Sequence, residues 1–254
     1  MSALITRRAL VGGMAAGAAT LLSGCDRLTA NEDFRKILFS ADNMHRWTQR
    51  ALINREALAR EYSPADMSPR FRANGTRYPQ TPFYLDMSSD LFARWQVKVG
   101  GLVNRPLSLS MPQIRAMPQR EQITRHDCVE GWSAIGKWRG VPLKLILEQA
   151  GLRDTARYIV FHCADDMGGG KVYYESCDLV DAFHPQTILA WAMNDKPLQV
   201  AHGAPVRMRI ERQLGYKQPK YVTGIEAVSS LRGINGGKGG FWEDVAGYEW
   251  YGGL

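Results

Sequence analysis

Cys128 sits in the run RHDCVEGWSAIGKWRG, residues 125–140, with His126, Asp127, Glu130, Trp132 and Trp138 close by in sequence. A thiol in such company can be a nucleophile, a redox partner or a soft metal ligand. The chain has four cysteines, Cys25, Cys128, Cys163 and Cys177, and no CxxC pair, zinc-type spacing or CxxCH haem motif. If Cys25 is modified, an odd number remains. Either Cys163 pairs with Cys177 and Cys128 stands alone, or one more thiol is buried. A buried structural role is the commoner fate of a lone cysteine, so the local residues single out Cys128 without fixing its chemistry.

A second cluster, HGAPVRMRIERQLGYKQPKYV (residues 202–222), gathers His202, Arg207, Arg209, Arg212, Lys217 and Lys220 around Gly203, Pro205 and Gly215. On an extended chain Arg207, Arg209 and Glu211 share one face, and Met208 and Ile210 take the other. Basic side chains beside glycine amides make a phosphate or oxyanion site; the competing reading is a solvated edge strand. The tail GGKGGFWEDVAGYEWYGGL (residues 236–254) joins compliant glycines to aromatic rings that either lid a pocket or pack the core.

These residues need a frame and a compartment. Residues 1–24 carry Arg7 and Arg8, then an Ala- and Gly-rich apolar run with no acidic residue, the pattern of an export signal. A membrane anchor needs about 20 strongly apolar residues, and this run is shorter, is diluted by Gly12, Gly13, Gly17 and Gly24, and stops at Cys25. The arginine pair resembles a twin-arginine signal. LSGC, Leu22 to Cys25, resembles a lipobox that would leave Cys25 lipidated, and Asp26 resembles an inner-membrane retention signal; an ordinary cleaved signal is the alternative. Removing the two arginines lowers the formal charge from +7 to +5. Such a mildly basic balance suits an anionic ligand or surface. Export and the lack of Lys/Arg runs argue against nucleic acid.

The remaining chain reads as 25–76, an N-terminal helix and linker, and 77–254, the main domain. Phe34, Ile37, Leu38, Met44, Trp47, Ala51 and Leu52 recur at helical spacing through residues 31–62, and the Pro-rich stretch 63–82 predicts an extended linker. Strands are expected at WQVKVGG, NRPLSLS, QITRHDCV, ARYIVFHCA, APVRMRIER and KYVTGIEAVSS. GVPLKLILEQAG predicts a helix with Pro142 near its start and Gly151 past its end. DLVDAFHPQTILAWAMND predicts a helix broken by Pro185. Without regular βα alternation or a dinucleotide-binding glycine fingerprint, the fold class is α+β.

RHDCVEGWSAIGKWRGVPL, HGAPVRM, GYKQPKYV and FWEDVAGY, in this order, resemble the sulfite-oxidase-fold molybdopterin enzymes, in particular their exported bacterial branch, from about Tyr78 to Tyr251. The resemblance implies a molybdopterin-binding fold of mixed β-sheets with interspersed helices. It makes Cys128 the single protein ligand to molybdenum, a soft thiolate joining the sulfurs of a dithiolene. The EGW and GKW segments would then orient the ligand and wall the pocket, although core packing is the stronger reading of Trp132 and Trp138. His126 is a strand-face residue near the site.

Position by position, the resemblance places His202 and Arg207 on the pterin and its phosphate, and Lys220, Gln218 and Pro219 on the following phosphate-binding stretch, with Lys217 beside them. Thr81, Phe83 and Tyr84 of TPFYLD fall on a pterin-contacting segment, with Thr81 where the branch has Asn. Cys163 falls near a cofactor contact that is usually Thr or Asp, which weakens the Cys163–Cys177 disulfide. Tyr248 resembles an active-site tyrosine.

The departures bear on substrate. Sulfite oxidases place arginines soon after the cysteine, whereas Val129, Glu130, Gly131 and Trp132 stand here, and a carboxylate repels a dianion in a low-dielectric pocket. The expectation is two-electron oxygen-atom transfer, with reduction of an S-oxide or N-oxide, small or protein-bound, ahead of sulfite-type oxidation. With no haem module, electrons would pass through a separate membrane cytochrome or periplasmic carrier. The expected location is periplasmic, at the inner membrane if Cys25 is lipidated. A non-catalytic exported binding module is the competing class, followed by a thiol redox protein using Cys128 with Cys163 or Cys177.

Overall fold

The computed structural model describes residues 44–52 and 54–254. Residues 1–24, Cys25 and the periodic positions Phe34, Ile37 and Leu38 lie outside the described residues. The chain divides into two units that meet between Leu52 and Ile53. In the first, residues 44–52 are helical, as the spacing of Met44, Trp47, Ala51 and Leu52 predicts. The helix does not run on to residue 62. Asn54 opens a turn instead, its side chain accepting from the Glu56 N–H at 3.0 Å and its carbonyl from Ala57 N at 2.9 Å.

The second unit is built on two mixed or antiparallel sheets. One has the order β2 (Leu107–Ser110), β1 (Gln96–Gly101), β10 (Val222–Val228), β5 (Tyr158–Asp166), β6 (Val172–Asp178); β1 and β10 run parallel and the other pairs antiparallel. The other joins β3 (Arg120–Cys128), β4 (Trp132–Pro142), β7 (Ile188–Met193) and β8 (Lys196–Pro197), with β9 (Arg207–Arg209) also paired to β7. The helices are α1 (Pro82–Ser89), α2 (Met111–Ala116), α3 (Leu143–Ala150), α4 (Leu179–Ala182) and α5 (Phe241–Ala246). Interspersed helices on mixed sheets are the α+β class read from the sequence.

The core explains these elements. Val97 and Val99 alternate inward on β1, and α3 presents Leu143, Ile146, Leu147 and Ala150, spaced for one face, all fully buried in the same apolar cluster. Gly151 at φ +68° closes α3, at the position the sequence gives for its end.

Three readings change. The segment Ile188–Met193, expected as helix, is strand β7, and only Leu179–Ala182 upstream of Pro185 is helical. Between β4 on one side and β8 and β9 on the other, nearly every β7 side chain is buried. Such a continuous apolar run carries no period that separates strand from helix. The basic strand shrinks to Arg207–Arg209, and both arginines are fully buried rather than solvated at an edge. The stretch 63–82 is not a free linker: after a 3-10 turn at Pro64–Asp66, Ser68 N donates to Ile135 O at 3.0 Å, as Tyr62 N just upstream does to Ile123 O at 2.9 Å, so it runs as a strap over the second sheet until Pro82 opens α1.

Cys128, Cys163 and Cys177 are free and buried. Cys177 faces Ile159 in the β5–β6 register, so Cys163 lies four residues, about 13 Å, farther along β5. That is beyond disulfide reach.

Candidate active site

Cys128 is the last residue of β3. One face of this strand carries Gln122, Thr124, His126 and Cys128, all buried. The chain turns back through Val129–Glu130–Gly131, Gly131 N donating to Cys128 O at 3.0 Å, and Cys128 pairs with Trp132 at the start of β4. Gly131 has φ +83°, a conformation that favours glycine in a three-residue hairpin loop. The thiol is therefore held at a rigid hairpin end rather than on a mobile loop.

Its sulfur opens onto a cavity of about 150 Å³. The walls come from the hairpin (Cys128, Val129, Glu130), from Asp165, Met167 and Tyr173 on β5 and β6 and the loop between them, and from the loop after β9 (Gly215, Tyr216, Gln218, Pro219, Lys220). Asn74, Gly75 and Thr76 of the strap complete it, with Trp242 and Tyr248 of the C-terminal segment. Burial pushes the Cys128 thiol above its usual range, against the Glu130 backbone N–H and Arg72. Metal coordination reverses that by deprotonating a thiol outright.

Behind the wall lies buried positive charge. Arg207 and Arg209 stack their guanidinium groups 5.2 Å and 4.2 Å from the Trp138 ring centre, so Trp138 is both core and platform. Arg209 is neutralised by Glu211 through two hydrogen bonds of 2.9 and 2.6 Å. Arg207 has carbonyl partners instead, His202 O at 3.2 Å and Gln218 O at 3.1 Å. Burial and Arg209 draw Arg207 down to about 9, still a cation at neutral pH. Lys220 Nζ donates to the carbonyls of Asn74, Thr76 and Ala201, and burial followed by Arg207 lowers it to about 7. Neither Arg207 nor Lys220 forms a salt bridge among the described residues. Burying cations this way is costly unless an anion joins them.

His126 packs against Gly215, where a Cβ would lie 2.5 Å from His126 Nε2. Only glycine lets the cavity loop lie on that ring. Asp165 Oδ1 has no hydrogen-bond partner among the described residues, and burial, opposed by Lys220, raises its carboxyl to about 6.

Of the residues expected from sequence, Cys128, Gln218, Pro219, Lys220 and Tyr248 meet at this cavity, with Arg207 directly behind it. Six are placed elsewhere. Thr81 caps α1, accepting from Tyr84 N at 3.2 Å and donating to Ala164 O at 2.9 Å. Tyr84 is buried with its hydroxyl on Ala204 O at 2.7 Å. Phe83, half exposed, packs 5.5 Å from Trp95. Thr81, Phe83 and Cys163 border a separate cavity of about 720 Å³ beside β1, β5 and β10. His202 faces Phe71 at 5.8 Å and lines a pocket with Phe71, Asn194 and Gln199 rather than the Cys128 cavity. Lys217 is the clearest correction. Its ammonium is fully buried between Glu175 and Glu243, so it neutralises carboxylates and is not free for a phosphate.

Sequence reasoning passed over Asn74–Thr76, Asp165 and Tyr173, whereas Gly215, named there among the glycines of the basic cluster, does line the cavity. Asn74–Gly75 is a turn signal inside the presumed linker, and Asp165 lies two residues past Cys163 on the same strand; both were available as clues. Among the tail residues, Trp242 and Tyr248 stack at 5.8 Å over the cavity, which favours the lid reading for these two.

The arrangement fits a metal bound by one thiolate and carried on an anionic organic group: one soft donor at the cavity, and two buried cations, Arg207 and Lys220, that form no salt bridge among the described residues. Comparison with known proteins agrees. The "Oxidoreductase molybdopterin binding domain" family profile matches residues 84–232. The chain is 36% identical over 251 residues to the Azospira oryzae "Putative protein-methionine-sulfoxide reductase subunit YedZ1", covering 98% of this chain and 88% of that protein. It is 35% identical over 147 residues to the Xanthomonas axonopodis pv. citri "Protein-methionine-sulfoxide reductase catalytic subunit MsrP", covering 54% of this chain and 46% of that protein. The chain thus spans about half the length of this catalytic subunit. Among solved structures, the sulfane dehydrogenase SoxCD from Paracoccus pantotrophus superposes with TM-score 0.50 at 18% identity, over 54% of this chain and 39% of that one, a likeness of fold. The chain belongs to the molybdopterin-binding oxidoreductase family and is a molybdenum oxidoreductase.

Proposed function

We propose that the protein reduces S-oxides by two-electron oxygen-atom transfer, with Cys128 as the single protein ligand to molybdenum. The observation that carries this is the buried thiol at the hairpin end, on a cavity backed by Arg207 and Lys220, which donate to carbonyls and form no salt bridge among the described residues. Two relatives bear names of methionine sulfoxide reductase subunits, which supports the reductive direction and a protein-bound or free sulfoxide as substrate. Glu130 on the cavity wall disfavours a sulfite dianion.

When bound, the molybdenum cofactor supplies the two-electron redox change and the position for oxygen exchange. The chain's own residues do the rest. Lys220 and Arg207 offer the phosphate its counter-charge, with Gln218 and Pro219 on the intervening backbone. Val129, Trp242 and Tyr248 border the opening and orient an apolar sulfoxide substituent. The reaction takes up two protons for each water released, and Asp165 can hold one at Oδ1 up to about pH 6. Tyr248 lines the same cavity, where its phenol can donate a hydrogen bond to the oxide.

The twin-arginine-like pair and Cys25 support export to the periplasm with a lipid anchor at the inner membrane, where a separate electron carrier, a membrane cytochrome or periplasmic protein, would deliver reducing equivalents.

The test is molybdenum content by elemental mass spectrometry, with reduced viologen as electron donor and methionine sulfoxide as acceptor. About one molybdenum per chain, lost in Cys128→Ser, together with viologen oxidation that depends on the sulfoxide, is the expected result. Full molybdenum with no sulfoxide-dependent turnover would sink the S-oxide reading.

A further inference from the structure

One wall of the cavity is itself a thioether. Met167 follows β5 and lines the same cavity as Cys128. Its Sδ accepts from the Thr76 hydroxyl at 3.4 Å, and Thr76 also lies on the cavity wall. The next three residues, Gly168, Gly169 and Gly170, all have positive φ, at 102°, 64° and 73°. A Cβ at any of them would meet nothing within 4 Å. The β5–β6 pairing breaks between His162 and Asp166, and the loop is closed by Met167 N donating to Lys171 O at 2.8 Å. Met167 is partly buried against the main apolar cluster, its sulfur is held at the cavity wall by Thr76, and a sulfoxide oxygen there would be a far stronger acceptor for Thr76 than the thioether is.

We propose that Met167 is an intramolecular substrate: its sulfoxide is reduced at the enzyme's own centre, so that oxidative damage at the cavity wall is self-repaired. This rests on the S-oxide reading above. A peroxide converts the Met167 thioether to the sulfoxide, one oxygen passing to sulfur and water leaving. In the return step the S–O bond breaks, two electrons from the external donor enter through the cofactor, two protons are taken up, and the oxygen leaves as water. Tethering the sulfoxide within the cavity replaces a bimolecular encounter by an internal one. Met44, which is exposed, supplies the contrast.

The experiment oxidises the holoenzyme with hydrogen peroxide, removes the peroxide, adds reduced viologen and follows Met167 and Met44 by peptide mass spectrometry over a protein dilution series. Methionine sulfoxide turnover is measured in parallel. The expected result is return of Met167 to the thioether at a rate unchanged by dilution, with Met44 slowing in proportion to dilution or remaining oxidised. In Cys128→Ser, Met167 stays oxidised. A Met167 sulfoxide that persists while added methionine sulfoxide is consumed overturns the inference and leaves the S-oxide reading intact. So does repair that slows on dilution as an intermolecular reaction does, or a Met167 that peroxide leaves reduced while oxidising Met44. If added methionine sulfoxide is not consumed either, the S-oxide reading fails and this inference fails with it.

Discussion

Arg209 Nη1 lies 2.9 Å from His126 Nδ1, and this contact determines which ring nitrogen carries the proton. A guanidinium only donates, so Nδ1 accepts, and the neutral ring bears its hydrogen on Nε2, beside Gln218. Burial, then the charges of Arg209 and Arg207, hold the imidazole well below its ordinary range. Nitrogen-15 spectra of the ring should show the Nε2–H tautomer. Arg209→Met should cost about 3–5 kcal/mol, because it leaves Glu211 buried and unpaired. Arg209→Met combined with Glu211→Leu should cost less than Arg209→Met alone. Denaturant titration checks both, and an Arg209→Met loss below about 1 kcal/mol would contradict the network.

Lys217 ties the cavity loop to β6 through Glu175 and to α5 through Glu243. Burial pulls its ammonium down, but the two carboxylates outweigh this and raise it. Two carboxylates face one ammonium, and burial together with Glu243 keeps the Glu175 carboxyl well above its usual range despite Lys217. Glu175→Gln should therefore be mild, within about 1 kcal/mol, while Lys217→Met should cost about 3–5 kcal/mol. Equal losses in unfolding measurements would show that Glu175 is ionised in the native protein.

Gly215→Ala puts a Cβ 2.5 Å from His126 Nε2 and 2.6 Å from Cε1. The ring cannot retreat freely, since Arg209 holds Nδ1 and Phe71 and Trp132 pack at 5.7 and 5.6 Å. The expected loss is about 1–3 kcal/mol, with weaker retention of molybdenum because the loop that bears Gln218 and Lys220 is displaced. Gly100→Ala, where nothing lies within 4 Å, is the control expected to keep both stability and metal. Matching behaviour of the two variants would remove the steric argument.

The site was legible where a residue's chemistry is unusual and illegible where ordinary residues are brought in by the fold. A lone thiol and a run of cations around glycine stand out in any reading, and the structure brings Cys128 and Lys220 to one cavity with Arg207 behind it. Lys217 misled because spacing cannot show that Glu175 and Glu243, 42 and 26 residues away, converge on its ammonium. Thr81 shows the limit of spacing, since a hydroxyl before a proline reads equally as helix cap and ligand contact, and in the structure it caps α1. Strand β7 hid in an apolar run without alternation. The strap at Asn74–Thr76 was missed because its place depends on Lys220 reaching two of its carbonyls, a contact between segments that nothing local encodes.

Asp165 and Lys220 titrate in ways that make opposite contributions to stability, and this separates them experimentally. Burial raises the Asp165 carboxyl from 3.8 to about 6, so between these values the folded protein holds a proton that the unfolded chain has lost. Stability from this group is complete below about pH 3.8 and disappears as pH rises through about 6, a swing of at most about 3 kcal/mol. Lys220, lowered from 10.5 to about 7, acts the other way: the unfolded chain holds the extra proton, so stability rises as pH climbs from about 7 toward 10.5. Cofactor-free protein should therefore lose stability between about pH 4 and 6, and Asp165→Asn should flatten that fall and, by removing the carboxylate that holds the Lys220 ammonium up, enlarge the rise that Lys220 produces. A bound phosphate should weaken the rise, because an anion beside Lys220 restores its proton in the folded state. Urea midpoints across this pH range test both arms. Parallel curves for wild type and Asp165→Asn would mean that Asp165 is ionised at the cavity wall throughout, and that it cannot serve as the proton-holding group there.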